Sequence, residues 1–362
     1  MKFLKSIFLL IILWQQIEAF AQDTLVFPGY DKLEFIEMMK VTSRFGDSTF
    51  YNKIGEPEKF HQVYRSPIMG LDNLWDLWID DNGVALICLR GTTSKNESWL
   101  ENFYAVLTPA KGSIVLKGGR KFDYNLSRHP EAAVHAGWLL GMASMAGDIQ
   151  QKLDSCYQSG IKNFIIHGHS QGGALSILLT AHLLNLKAEG KIPEDIIIKT
   201  IASAAPKPGN LHFAYDYEAR MRSYGITVVN AADWVPEVPM SIQTLNDFNP
   251  TNPFKNADDL ISKQKLGARL VMKKIYNKLN GSTREAHETY QKYLGLKTYP
   301  MVQKVIAEYS KPEFFDGSNF TRAGQYYVLW PESDYFEKYP DNDATPFVHH
   351  MMQPYIYLAE RN

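Results

Sequence analysis

A chain that runs Asn163-Phe164-Ile165-Ile166-His167, then Gly168-His169-Ser170-Gln171-Gly172-Gly173, then apolar residues almost without break from Ala174 to Leu184, has few folds open to it. The first run suits a buried parallel strand, and the last suits a helix enclosed by a core. Between them sits Gly-x-Ser-x-Gly. In such a turn the serine takes a strained backbone conformation at the end of the strand, and glycine is needed where neighbouring backbone leaves no room for a Cβ. Ser170 Oγ is then presented at the N-terminus of the helix, which makes Ser170 the candidate nucleophile. A glycine-rich turn with an incidental serine is the alternative, but it would not need a strand and a helix on either side.

The rest of the chain repeats the strand–helix alternation. Asp31 to Phe45 reads as a first helix, and Leu74 to Ile79 with Val84 to Leu89 reads as an antiparallel hairpin turning at Asn82-Gly83. Ser94 to Leu107 is expected to be an amphipathic helix, Ser113 to Tyr124 a peripheral hairpin, and Pro130 to Tyr157 a helix leading to the serine strand. Downstream, Ile196 to Ala202 and Gly225 to Asn230 are apolar strands on either side of a helix from Leu211 to Tyr224. The pattern specifies an α/β fold, a mostly parallel sheet with helices on both faces, whose chemistry gathers at the strands' C-terminal ends. From about 240 to 345 the expectation is a helical insertion, with Leu260, Leu266, Leu270, Val271, Ile275 and Leu279 on one stripe. That stripe, and Trp99, Phe103 and Tyr104, would line an acyl site, form an interfacial lid, or pack on the core.

A serine hydroxyl needs a base to take its proton and an acid to orient that base. In α/β-hydrolases these follow in the order Ser, Asp or Glu, His. Asp233 stands at the end of the Gly225 strand and is preferred to Asp216, inside a helix, and Asp247, in a loop; turn-capping is the ordinary work of such an aspartate. His349 and His350 are the last histidines and precede a C-terminal helix, so either satisfies the order, whereas His61, His129, His182, His212 and His287 do not. His167 and His169 are too close to the serine in sequence and are expected to bond locally. An oxyanion would need donors already in place: the backbone N–H of Gln171, and a second from the loop Arg90-Gly91-Thr92-Thr93. None of the ten histidines falls in a metal-binding spacing, so neither metal nor cofactor is expected.

Five segments in consistent order resemble the class 3 lipases, the fungal-lipase-like α/β-hydrolases. They are Arg90-Gly91-Thr92 with Ser98-Trp99-Leu100-Glu101-Asn102, then Val134-His135-Ala136-Gly137-Trp138, Gly168 to Gly173, Ala205-Pro206-Lys207-Pro208-Gly209-Asn210, and Asn230-Ala231-Ala232-Asp233-Trp234-Val235-Pro236. The resemblance implies Ser170 as nucleophile, Asp233 as orienting acid, a histidine near 350 as base, and Thr92 with the Gln171 amide as oxyanion hole. It favours His350 over His349, because a large apolar residue and a tyrosine follow, here Met352 and Tyr355. Two features depart from the family: Asp233 and the histidine are 117 residues apart (350 minus 233), and Gln171 stands where leucine is more common.

The resemblance implies hydrolysis of lipid carboxylic esters through an acyl-enzyme. A carboxylesterase or phospholipase A1 on shorter or charged esters is the alternative among enzymes, and a silent lipid-binding scaffold the alternative outside them. Lys2 and Lys5, an apolar run from Ile7 to Trp14, and Ala19-Phe20-Ala21 read as a cleavable signal peptide over residues 1–21, and hence a secreted or periplasmic product. The apolar run is shorter than the roughly 20 residues that span a bilayer. With 38 basic and 39 acidic residues the net charge is −1, which points away from nucleic acid as a partner. Cys88 and Cys156 are expected to be buried thiols.

Overall fold

Seven strands pair into one sheet in the computed structural model, which describes residues 24–255 and 257–361. The expected signal peptide lies outside the described residues. The strands β1 (Phe60–Arg65), β2 (Trp75–Asp80), β3 (Val84–Leu89), β4 (Asn163–His169), β5 (Ile197–Ser203), β6 (Gly225–Asn230) and β7 (Gln325–Leu329) lie side by side in chain order. β1 to β3 are antiparallel, and Gly83, at a φ of 88°, closes the expected β2–β3 turn. From β3 onward every neighbour is parallel.

Parallel neighbours need crossovers, and helices supply them. After α1 (Lys32–Ser43), α2 (Asn96–Phe103) and α3 (Ala136–Gln158) join β3 to β4, α4 (Gln171–Ala188) joins β4 to β5, and α5 (Leu211–Met221) joins β5 to β6. Alternate residues of β3 serve opposite faces. Ala85, Ile87 and Leu89 pack with Trp138, Leu139, Leu175 and Leu178 of α3 and α4. Val84, Leu86 and Cys88 pack with Phe35 and Met38 of α1 and with Tyr355 and Leu358 of α7 (Met352–Arg361). Burial on both faces is what an unbroken apolar strand requires, and each such side chain contributes roughly 1.5–3 kcal/mol. This is the mostly parallel sheet with helices on both faces that the alternation predicted.

Several expectations are corrected. The helix expected over Ser94 to Leu107 stops at Phe103; Tyr104 is fully buried against Tyr309 and Phe314, and Leu107–Pro109 is a strand. The helix expected from Pro130 is preceded by a strand, Ala133–His135, paired to Leu107–Pro109. The stretch from 240 to 345 is not all helical, because β7 lies within it and extends the sheet beyond β6. Its helices include Ala257–Ser262 and α6 (Leu266–Gln291). Nor do its apolar residues share one stripe. At about 100° per residue, Leu266 and Leu270 point away from Val271, Ile275 and Leu279, and all five are exposed. Cys88 and Cys156 are buried and unpaired.

Candidate active site

β4 ends in the turn that carries Ser170, at φ 62° and ψ −133°, a region that side chains rarely occupy. The turn is held from both sides: the Ser170 N–H donates to the Ser203 carbonyl at 2.9 Å, and the Gly173 N–H to the Ser170 carbonyl at 2.8 Å. The glycines follow from close approach. A Cβ on Gly168 would stand 2.2 Å from the Gly172 oxygen, and one on Gly172 2.3 Å from the Leu89 oxygen. The motif therefore requires its glycines where β4, α4 and the end of β3 converge.

Asp233 follows β6 and is buried. Its carboxylate accepts from His350 Nδ1 at 2.8 Å, from the Tyr355 hydroxyl at 2.7 Å and from the Val235 N–H at 2.9 Å. Burial alone would raise its pKa; His350, the Val235 N–H and the Tyr355 hydroxyl outweigh that and hold the carboxyl below the usual range. His350 belongs to a short turn, Val348–His350, in a loop pinned to the Asp233 segment by Trp234 Nε1 donating to the Pro346 carbonyl at 2.8 Å. His349 points elsewhere, with Nδ1 on the Tyr335 hydroxyl and Nε2 on Asp341, both at 2.8 Å. Asp216 is engaged by Arg128 and Arg220, and Asp247 caps its own turn at Thr244. His167 and His169 do not bond locally: His167 Nδ1 donates to the Ile201 carbonyl on the neighbouring strand, and His169 Nε2 donates to the His350 carbonyl, 181 residues away, at 2.8 Å. Burial drives the His169 pKa down to about 3, so it is neutral. Tyr355 as a donor to the carboxylate was not assigned from sequence, although its place after the histidine was noted.

Ser170, Gln171, Thr92 and His350 line one cavity of about 800 Å³, walled by Trp99, Phe103, Trp234, Met240 and Phe347 and reached by Tyr290 from the end of α6. A mostly apolar wall with a few convergent polar groups is the usual form of a small-molecule site. Among the described residues, His129, Glu131 and His212 form the group that would gather metal ligands. Their geometry does not suit it: the two imidazoles stack at 4.3 Å and 11°, so their in-plane lone pairs do not converge, and His129 Nδ1 already accepts the Glu131 N–H.

Residues 86–242 match the family described as Lipase (class 3). The segment is similar to the class 3 lipases over these residues. The matched residues contain Thr92, Ser170, Gln171 and Asp233 and end before His350. A secreted mono- and diacylglycerol lipase of Gibberella zeae is 25% identical over 200 residues, 54% of each chain, so the chain spans about half the length of that curated relative. Among solved structures, a Rhizomucor miehei lipase propeptide complex is similar at 18% identity and a TM-score of 0.43, covering 57% of this chain and 63% of that one. A triacylglycerol lipase of Penicillium expansum is similar at 17% identity and a TM-score of 0.43, covering 61% and 78%.

Within the segment similar to the class 3 lipases, the glutamine at 171 is tied to a buried carboxyl group. Thr92 Oγ1 donates to Gln171 Oε1 at 2.9 Å and accepts from Asn102 Nδ2 at 2.9 Å, while Asn102 Oδ1 takes the Trp138 indole N–H at 2.9 Å. Gln171 Nε2 donates to Glu101 Oε1 at 2.7 Å, and Asn73 Nδ2 donates to the same oxygen at 3.1 Å. Glu101 Oε2 is buried without a partner. Sequence reasoning did not single out Glu101 or Asn73, since no local pattern marks a contact across 70 residues.

Burial raises the Glu101 pKa from 4.5 to about 8, against the opposing Asn73 and Gln171 donors. The folded chain thus retains a proton that the unfolded chain releases above pH 4.5, and stability falls as pH rises from 4.5 to about 8 and levels off beyond. Glu101→Gln is neutral throughout. It is expected to match the parent near pH 5 and to exceed it at pH 9 by on the order of a few kcal/mol in urea unfolding. An equal difference at both pH values would contradict a protonated Glu101.

Proposed function

We propose that this protein is a secreted serine hydrolase that cleaves carboxylic esters of lipids through an acyl-enzyme, with Ser170, His350 and Asp233 as its triad. The observation that carries the reading is the buried His350–Asp233 pair, 2.8 Å between Nδ1 and Oδ2, opening on the same apolar cavity as Ser170. With Nδ1–H given to Asp233, Nε2 of neutral His350 keeps its lone pair for the serine proton. Ser170 Oγ attacks the ester carbonyl carbon and its proton passes to His350 Nε2. The carbonyl oxygen, now negative, is met by the backbone N–H groups of Gln171 and Thr92, preorganised donors each worth roughly 3–4 kcal/mol. Collapse breaks the bond to the alcohol, which leaves with the His350 proton. Water then repeats the sequence on the acyl-serine and releases the carboxylic acid.

The relative from Gibberella zeae, a secreted mono- and diacylglycerol lipase, favours acylglycerols as substrate. The apolar wall of Trp99, Phe103, Trp234 and Phe347 supports an acyl chain there. A fluorophosphonate probe is expected to label the native protein at one site, the tryptic peptide containing Ser170, and to stop hydrolysis of p-nitrophenyl esters. Rates across acyl lengths, taken below and above the solubility limit, then separate a lipase, which accelerates on aggregated substrate, from a carboxylesterase. Intact protein that takes up no probe and turns over no ester would favour a silent scaffold.

A further inference from the structure

The first two-thirds of α6 is exposed nearly all round, with Leu266 and Leu270 on one side and a larger apolar arc on the other. At about 100° per residue, Val271, Met272, Ile275 and Leu279 fall within an arc of about 100°. Val271 is 59% exposed, Ile275 54% and Leu279 64%, well beyond what a core-facing stripe would show. Lys274 and Lys278 flank the arc on one side, and Tyr276 and Arg269 on the other. From Leu260 to Arg284 the sequence holds seven Lys or Arg and no Asp or Glu, in a chain whose net charge is −1.

We infer that α6 is a membrane-docking helix that lies in the surface of an anionic lipid layer, with Val271, Met272, Ile275 and Leu279 below the headgroups and its lysines among their phosphates. Charge decides the occupant. A second copy of the helix would bring two unneutralised cationic faces together, and a neutral apolar partner would leave the lysines idle. An anionic lipid surface answers both: apolar side chains enter the acyl boundary, and flanking cations take the negative charge. The helix also reaches the candidate site. α6 is continuous from Leu266 to Gln291, and Tyr290 lines the ester cavity. At 1.5 Å per residue Ile275 sits about 22 Å from Tyr290 along one rigid rod, so docking would hold the cavity at a set distance from the lipid.

The inference deepens the lipid-ester reading by naming the surface on which substrate is met, and its test needs no turnover. The purified protein is sedimented with vesicles of phosphatidylcholine alone and of phosphatidylcholine with phosphatidylglycerol. Binding is expected at least tenfold tighter on the anionic vesicles and weakened by salt. Ile275→Glu with Leu279→Glu, and separately Lys274→Glu and Lys278→Glu together, should each reduce it at least tenfold. All these positions are exposed, so circular dichroism and hydrolysis of a soluble short-chain ester should stay as in the parent. The inference is overturned if the parent fails to bind or binds both vesicles alike, if either variant binds as the parent does, or if the apolar variant instead dissociates a dimer. Vesicle binding without hydrolysis of any soluble ester would sink the catalytic reading and leave this one standing.

Discussion

Ser170→Ala is expected to lower kcat for p-nitrophenyl butyrate by about 10⁶-fold, the loss seen when a triad nucleophile is removed and only binding and oxyanion donors remain. The fold should survive the change. Ser170 heads α4, but its side chain does not cap the helix, so no helix bond is lost with Oγ. The turn is held instead by backbone, through the Ser170 N–H on Ser203 and the Gly173 N–H on the Ser170 carbonyl. Alanine meets the same positive φ as serine and adds no atom to the crowded contacts of Gly168 and Gly172. Unfolding should therefore shift by no more than about 1 kcal/mol while turnover vanishes. Turnover within tenfold of the parent, in protein freed of contaminating esterase, would exclude Ser170 as the nucleophile.

Local patterns made the nucleophile turn legible because strand, glycines and helix are contiguous in sequence. Asp233 was legible by its place after β6, and a terminal histidine by chain order. Choosing between His349 and His350 needed the orientation of adjacent side chains, one toward Tyr335 and Asp341, the other toward Asp233. β7 was missed although Tyr326 to Trp330 is an apolar and aromatic run, because the run is short, stands alone inside a stretch read as helical, and as an edge strand leaves Gln325 to Val328 exposed or half-buried. α6 differs. Its apolar residues at helical spacing left an acyl site, an interfacial lid and core packing all open, because periodicity says only that one face is apolar, not whether the chain itself covers it. The Asn73–Glu101–Gln171 chain was invisible for a third reason, because its members come from three elements that only the folded sheet brings together.

Asp233→Asn is expected to reduce kcat by about 10⁴-fold with little change in KM, through the tautomer of His350. The carboxylate receives three donors on two oxygens: the Val235 N–H on Oδ1, and His350 Nδ1–H with the Tyr355 hydroxyl on Oδ2. A carboxamide has one acceptor oxygen, so one of these sides must now face an NH₂. If the NH₂ faces His350 it donates to Nδ1, which drives the imidazole proton to Nε2 and leaves no lone pair toward Ser170. If it faces Val235 instead, two N–H groups oppose each other in a buried site, which costs about 1–3 kcal/mol. Both arrangements also remove the negative charge that would steady the imidazolium formed when Ser170 gives up its proton. Asn is close to Asp in volume, so the cavity and the binding of the acyl chain should change little. Steady-state kinetics decide the matter: a kcat within tenfold of the parent would mean that Asp233 is only a structural anchor for the His350 loop.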